Sequence, residues 1–145
     1  MINMKVKFVN DKLFVYLYNE IVNIDDIDEL NERIKKIFIK LIKKYQLDFY
    51  GLNKVTVYHN NKYGMVLEIE KIYSSVYEHS VIDLKIIIYK NVKMYLEFDD
   101  YCFLEKPKNL IIKNNKYYLS VDSITNINKY IEFGKIIFDC NKIKV

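Results

Sequence analysis

The chain has no alanine, no tryptophan, one arginine, one proline and three glycines among its 145 residues. The three glycines stand far apart, which excludes the loops GxGxxG and GxxxxGKS/T that hold nucleotide phosphates. The single arginine, Arg33, argues against base-specific reading of nucleic acid, because such reading favours the two-pronged guanidinium. No apolar run approaches the ~20 residues of a membrane span, and the first residues lack a signal-peptide core. We therefore expect a cytoplasmic protein with no membrane partner and no nucleotide cofactor.

Cysteine and histidine are also scarce. The two cysteines, Cys102 and Cys140, could pair, but they lie among large apolar residues, which favours buried free thiols that are not reactive. The two histidines, His59 and His79, are not part of any CxxC, HxH or HExxH spacing, so no metal motif is present. We expect no metal, no other cofactor and no enzyme built on these residues.

Apolar and charged residues make up 51% and 29% of the chain, as in an ordinary globular domain. The length predicts a single domain, residues 1–145, with subregions 1–72 and 81–145 on either side of the irregular stretch YSSVYEHS. The net charge of +4 is modest and its lysines alternate with acids, which permits an anionic partner without requiring one. The abundance of lysine, isoleucine, asparagine and tyrosine indicates an AT-rich genome rather than a function.

Residues 25–46 predict one long amphipathic helix. Apolar residues recur there at steps of three and four and form one stripe: Ile27, Leu30, Ile34, Ile37, Phe38, Leu41, Ile42 and Tyr45. Asp25 or Asp26 can cap the start of this helix. Acids in its first turns and lysines in its last turns complement the helix dipole.

Short alternating segments predict strands on both sides of this helix. They are residues 5–9, 12–19, 54–59, 65–71, 82–89, 92–98, 110–113, 117–122 and 135–140. A short helix is predicted within residues 123–133, ended by Gly134. The predicted fold class is α+β: an antiparallel sheet of β-hairpins packed by one long amphipathic helix (ββαββ), followed by a β-rich second half with a short C-terminal helix.

One compact acidic group, Glu97, Asp99 and Asp100, follows a strand in the stretch EFDDY. Paired carboxylates bind Mg²⁺ or act as acid and base in hydrolysis, whereas adjacent aspartates are also ordinary turn residues. A turn is the favoured interpretation, and we predict no catalytic residue. A metal-dependent hydrolase that uses this group is the third of three functional hypotheses.

Aromatic side chains, 15% of the chain, supply the candidate binding residues. Phe14, Tyr16 and Tyr18 share one face of the second strand, with Tyr58 expected nearby on a neighbouring sheet, while the other face of that strand is aliphatic. An open aromatic face would stack bases while lysines meet phosphates; alternatively, these rings pack on the helix. Because both faces are too apolar for simple exposure, burial on both sides or cover by a partner is favoured.

The order hairpin, helix, hairpin over residues 4–71 is similar to the N-terminal domain of the MecA adaptors, which present substrates to a Clp-type ATPase. The stretches NNKYYL and YIEFGKII resemble the end of the C-terminal domain of those adaptors. The resemblance covers short stretches, implies no role for any single residue, and leads us to assign no family.

Two functional hypotheses precede the hydrolase. The absence of a catalytic signature and a strand apolar on both faces favour a non-enzymatic protein-interaction or adaptor module, whose partner is another protein or a second copy. The alternative is a nucleic-acid-binding protein that uses a Lys/Tyr-rich sheet face, with an affinity that falls steeply with salt.

Overall fold

A computed structural model describes residues 3–20, 23–73, 81–101, 103, 106–124, 126–131 and 133–138. The elements in these ranges are β1 (Asn3–Val9), β2 (Lys12–Tyr18), α1 (Ile27–Tyr45), β3 (Gly51–Asn60), β4 (Gly64–Tyr73), β5 (Ile82–Tyr89), β6 (Tyr95–Phe98), β7 (Ile111–Lys113), β8 (Lys116–Ser120) and β9 (Lys135–Ile137), with 3₁₀ turns at Val121–Ser123 and Ile127–Lys129. The mixed α+β character and the one long helix are confirmed.

The chain divides into two compact units. The first contains Met1–His59 and Gly64–Lys90, and the second contains Asn60–Tyr63 and Asn91–Val145. The expectation of a single domain stays a prediction.

Helix α1 has a capping interaction at each end. The side chain of Asp26 accepts a hydrogen bond from the backbone N–H of Glu29 at 3.1 Å, which satisfies one free donor of the first turn. The helix ends at Gln46, whose left-handed backbone lets its N–H donate to the carbonyl of Ile42 at 2.9 Å. Within the described part of the chain, no helix is both long and apolar enough to cross a membrane.

The first unit contains a five-stranded sheet in the order β1-β2-β4-β3-β5. β1 and β4 flank β2 in antiparallel register, but β5 pairs with β3 in parallel register. The expected purely antiparallel sheet is therefore corrected to a mixed one, and β5 belongs to the first sheet rather than to a β-rich second half. The physical reason is burial, because alternate β5 residues, among them Leu84 and Ile86, pack against the core beneath the helix.

The core of the first unit lies between α1 and one face of this sheet. Its fully buried large side chains on the helix are Leu30, Ile34, Ile37, Phe38 and Leu41, and those on the strands include Leu17, Met65 and Leu67. Two members of the predicted stripe, Ile27 and Tyr45, stand at the helix ends and are exposed. The stripe therefore buries its middle against the sheet, and its ends remain in water.

The second unit contains a four-stranded sheet in the order β7-β8-β6-β9, with antiparallel pairs. The expected short C-terminal helix is wrong: two 3₁₀ turns occupy that segment. Neither Ser120 nor Asn126 makes a side-chain cap, and asparagine and β-branched residues are weak helix formers. Gly134 ends no helix; a Cβ there would lie 3.0 Å from the ring of Phe98, so it permits close packing.

Asparagines take the place of glycine at the tight turns of this glycine-poor chain. Non-glycine residues with positive φ are Asn10, Asn19, Gln46, Asn91, Asn109, Asn114 and Asn115. Asparagine tolerates the left-handed region better than most residues do. The abundance of asparagine, which indicates an AT-rich genome, thus also has a structural role in the turns.

The tip of the β3–β4 hairpin is fixed by one buried amide. Asn60 Oδ1 accepts from the backbone N–H groups of Lys62 and Tyr63, both at 2.9 Å, and Asn60 Nδ2 donates to the carbonyl of Val92 at 3.0 Å. Lys62 Nζ also donates to the carbonyl of Asp122 at 2.9 Å, beside the first 3₁₀ turn. These contacts all lie within the second unit.

Candidate binding face

The two sides of β2 have separate roles. Leu13, Val15 and Leu17 are buried in the core with α1. Because side chains alternate along a strand, Phe14, Tyr16 and Tyr18 point to the sheet face opposite the helix, where each is half-buried. The aliphatic side packs on the helix, and the rings stand on the helix-free side.

We call this helix-free side of the five-stranded sheet the aromatic face. On this face β1 carries Lys5 and Lys7, and β2 carries Lys12, Phe14, Tyr16 and Tyr18. The next strand, β4, carries Val66, Glu68 and Glu70. Beyond it, β3 carries Lys54, Thr56 and Tyr58, and β5 carries Asp83, Lys85, Ile87 and Tyr89. All four sequence-predicted binding residues lie on it, and Tyr58 shares this sheet with the others rather than lying on a second one.

A central row of side chains crosses the aromatic face from edge to edge. Lys5 stands opposite Tyr16 in the strand register, and Tyr16 stands opposite Val66. Tyr58 and Val66 lie two residues from the two ends of the same hairpin turn, which puts them at one level. Tyr58 in turn stands opposite Tyr89, and their rings stack with centroids 5.5 Å apart and an interplanar angle of 9°.

Lysines lie on four of the five strands of this face. Lys54 and Lys85 are direct partners in the parallel register of β3 and β5, four residues before Tyr58 and Tyr89. Lys12 approaches Glu68, with Nζ and Oε2 3.7 Å apart. On the whole face, five lysines accompany the three acids Glu68, Glu70 and Asp83, so the face has a modest positive charge.

The hydroxyl groups of Tyr16, Tyr18 and Tyr58 stay protonated at neutral pH. Burial raises the pKa of Tyr16, Tyr18 and Tyr58 above the ordinary value of 10.0, and the neighbouring Glu68 and Tyr89 raise that of Tyr58 further. These rings therefore offer neutral stacking surfaces and hydroxyl donors rather than phenolate charges.

Sequence reasoning missed Tyr89, the most exposed ring of the central row, at 52% exposure. The alternation in the sequence IDLKIIIY predicts a strand that ends at this tyrosine. The local sequence does not show that this strand pairs with β3. Its stacking partner Tyr58 becomes evident only with the strand order.

The acidic group near β6 forms ion pairs. Lys116 Nζ lies 3.5 Å from a carboxylate oxygen of Glu97 and 3.5 Å from one of Asp99, and Lys135 Nζ lies 3.9 Å from Asp99. These carboxylates raise the pKa of Lys116, Glu97 having the larger effect. Asp100 is exposed. Within the described ranges, no three His, Cys, Asp or Glu side chains group as metal ligands would.

The remaining predicted residues add no second site. His59 is half-buried, its Nδ1 atom has no hydrogen-bond partner among the described residues, and burial lowers its pKa below the ordinary 6.5. His79, Cys102 and Cys140 lie outside the described residues, as does most of YSSVYEHS. A shallow depression on α1 is lined by Arg33, Lys36, Lys40 and Lys43, but it contains no aromatic ring.

Comparison with known proteins identifies no relative. No family model, no curated protein and no solved structure matches this chain.

Proposed function

We propose that this protein is a non-enzymatic binding module of the cytoplasm that contacts its partner through the aromatic face. One observation carries the proposal: β2 gives its aliphatic side to the helix and keeps Phe14, Tyr16 and Tyr18 half-buried on the opposite side. Rings in partial contact with water retain apolar surface whose removal from water is favourable. A partner that covers them would complete the burial that both sides of this strand require.

The proposal ranks above the hydrolase because of how the acidic group is paired. Glu97 and Asp99 share the ammonium group of Lys116, so part of their charge is already neutralised by an ion pair. A metal ion would have to compete with that lysine for the two carboxylates.

A second binding mode, the addition of a partner's strand to β1, is favoured by one observation. Phe8, near the end of this edge strand, is 60% exposed. Lys5 and Lys7 on the same strand act against it, because lysines on edge strands are a common protection against pairing. We therefore rank strand addition below the aromatic face.

Capture from a lysate of the natural host tests the proposal when two matched variants accompany the wild type. Tyr89→Ser removes an exposed ring from the aromatic face, and Tyr45→Ser removes a ring of similar exposure, 42%, from the end of α1. We expect a stoichiometric partner, protein or nucleic acid, that wild type and Tyr45→Ser retain and that Tyr89→Ser loses. A partner retained equally by all three proteins, or no partner at all, would contradict the proposal.

A further inference from the structure

We infer that the ligand of the aromatic face is single-stranded nucleic acid, bound by stacking of bases on tyrosine rings and by lysine contacts to phosphates, without sequence preference. This inference rests on the proposed function, because it names the ligand class of the same face. It places nucleic acid above the protein partner that the sequence favours.

The central row supplies the stacking surfaces. Tyr16 and Tyr58 stand on β2 and β3 with only β4 between them, so the ~4.8 Å strand spacing puts their backbones about 10 Å apart. Val66 lies between them and has no exposed surface, so the accessible surface of the row belongs to the half-buried rings on either side of it. Tyr89 extends the row to the β5 edge. Aromatic rings on a sheet accept any unpaired base, because every base has a π-face.

The lysine positions supply the charge complementarity. Lys54 and Lys85 face each other across β3 and β5, and like charges directly opposite one another destabilise a sheet. Two neighbouring phosphates of one strand, one at each ammonium group, would replace this repulsion with charge-assisted contacts. At the other edge, exposed Lys5 stands directly opposite Tyr16 and Lys7 directly opposite Phe14, so a ring and a cation are adjacent there too.

The acids of the face limit where the phosphates can run. Glu68 lies opposite Phe14 and is already approached by Lys12. Asp83 lies two residues before Lys85 on β5, and Glu70 lies at the level of Lys54, so these two acids offset part of the charge of the lysine pair. The backbone of a bound strand is therefore expected to follow the two lysine-bearing edges, with its bases toward the central row.

The same features select single strands over duplexes. Within a duplex, the base pairs stacked above and below cover both faces of each base, so rings on the sheet cannot stack on it. Recognition of particular bases is not expected, because the face carries no arginine, and its hydroxyl and ammonium groups suit backbone contacts.

Fluorescence anisotropy of the purified full chain tests the inference. The probes are a labelled mixed-sequence oligonucleotide of about 16 nucleotides, the upper end of common site sizes, and the same strand annealed to its complement. We expect binding of the single strand to be at least about tenfold tighter than binding of the duplex. With Lys5, Lys7, Lys54 and Lys85 in contact, the logarithm of the association constant should fall with the logarithm of salt with a slope near −3, since each phosphate contributes about −0.7.

Variants separate the two contributions. Lys85→Gln should reduce the size of this slope by about 0.7, whereas Lys40→Gln, an exposed lysine on α1, should leave it unchanged. Tyr89→Ser should weaken binding by about tenfold at constant slope, because it removes a stacking ring and no charge. Tyr45→Ser should have no effect.

Equal affinity for the duplex, a slope that Lys85→Gln and Lys40→Gln change alike, or no binding at low salt would overturn the inference. The lysate capture then distinguishes the two failures. A protein partner that survives nuclease and is lost only from Tyr89→Ser, or a dimer that Tyr89→Ser disrupts in sedimentation, would refute nucleic acid and leave the binding face standing. Indifference of every ligand to Tyr89→Ser would refute both.

Discussion

Arg33 Nε on α1 donates to Glu20 Oε1 in the segment that follows β2, so the only arginine of the chain ties the helix to the end of the first hairpin. The carboxylate is almost fully buried, with 6% of its side chain exposed, and the guanidinium is 35% exposed. A buried carboxylate is tolerated only when it has such a partner.

Replacing Arg33 by methionine should therefore destabilise the protein by about 3 kcal/mol, because Glu20 would keep its burial and lose its counter-charge. Urea unfolding measures the change. The double variant Glu20→Gln with Arg33→Met should recover most of the loss. A single-variant loss below about 1 kcal/mol, as small as for an exposed ion pair, would show that Glu20 is hydrated.

Gly64 and Gly134 should respond differently to alanine. Gly64 has φ of 127°, and a Cβ there would collide with the carbonyl oxygen of Leu17 and lie 3.0 Å from the backbone nitrogen of Asn19. We expect Gly64→Ala to cost about 3 kcal/mol or more, since neither backbone atom can yield. In Gly134→Ala the new Cβ would lie 3.0 Å from the ring of buried Phe98 and 3.1 Å from the Cβ of Leu96, an overpacking that should cost only about 1 kcal/mol. Equal losses in thermal unfolding would contradict this difference.

His59 should make stability fall in mildly acidic solution. Burial lowers its folded-state pKa below the ordinary 6.5, although the nearby Asp25 acts in the opposite direction. The unfolded chain therefore binds the proton more readily. The contribution of the neutral His59 ring to the free energy of unfolding is fully present above pH 6.5. It is lost as the pH falls below 6.5 toward the folded-state pKa. His59→Gln should show a flatter dependence of unfolding free energy on pH, and identical pH dependence in the two proteins would refute the assignment.

Asn60 should contribute far more to stability than Asn61, its neighbour in the same turn. Asn60→Ala removes the acceptor of two backbone N–H groups and the donor to Val92, and should cost about 2 kcal/mol. Asn61 is exposed, so Asn61→Ala serves as the control and should change unfolding by less than about 0.5 kcal/mol. A similar effect of the two substitutions would mean that the turn is held by its backbone alone.

Helix α1 could be predicted from sequence because its signals are local and agree with one another. The apolar spacing, the Asp26 cap and the charge gradient all fall within one segment, and the structure places the helix at Ile27–Tyr45. The turn at Asn10 is local in the same way, since asparagine accepts positive φ.

The position of β5 could not be predicted, because alternation identifies a strand but not its neighbour. Its parallel pairing with β3 depends on burial of Leu84 and Ile86 against a helix far away in sequence. Tyr89 was missed for the same reason. The isoleucine spacing after Ser123 predicts a helix. In so short a segment without a side-chain cap, the few hydrogen bonds formed do not offset the unfavourable free energy of helix nucleation.

The hairpin tip fixed by Asn60 has a consequence for how the chain can be divided. The second unit is assembled from two pieces that are about thirty residues apart in sequence, and four of its residues arrive by way of β3 and leave by way of β4. A fragment that starts at Asn91 would lack Asn60 and Lys62, whose side chains donate to the carbonyls of Val92 and Asp122, whatever the length of the fragment. The second unit is thus discontinuous in sequence. A circular permutant or an inserted loop that keeps Asn60 and Lys62 in place should preserve the fold of this unit, whereas a simple truncation should not.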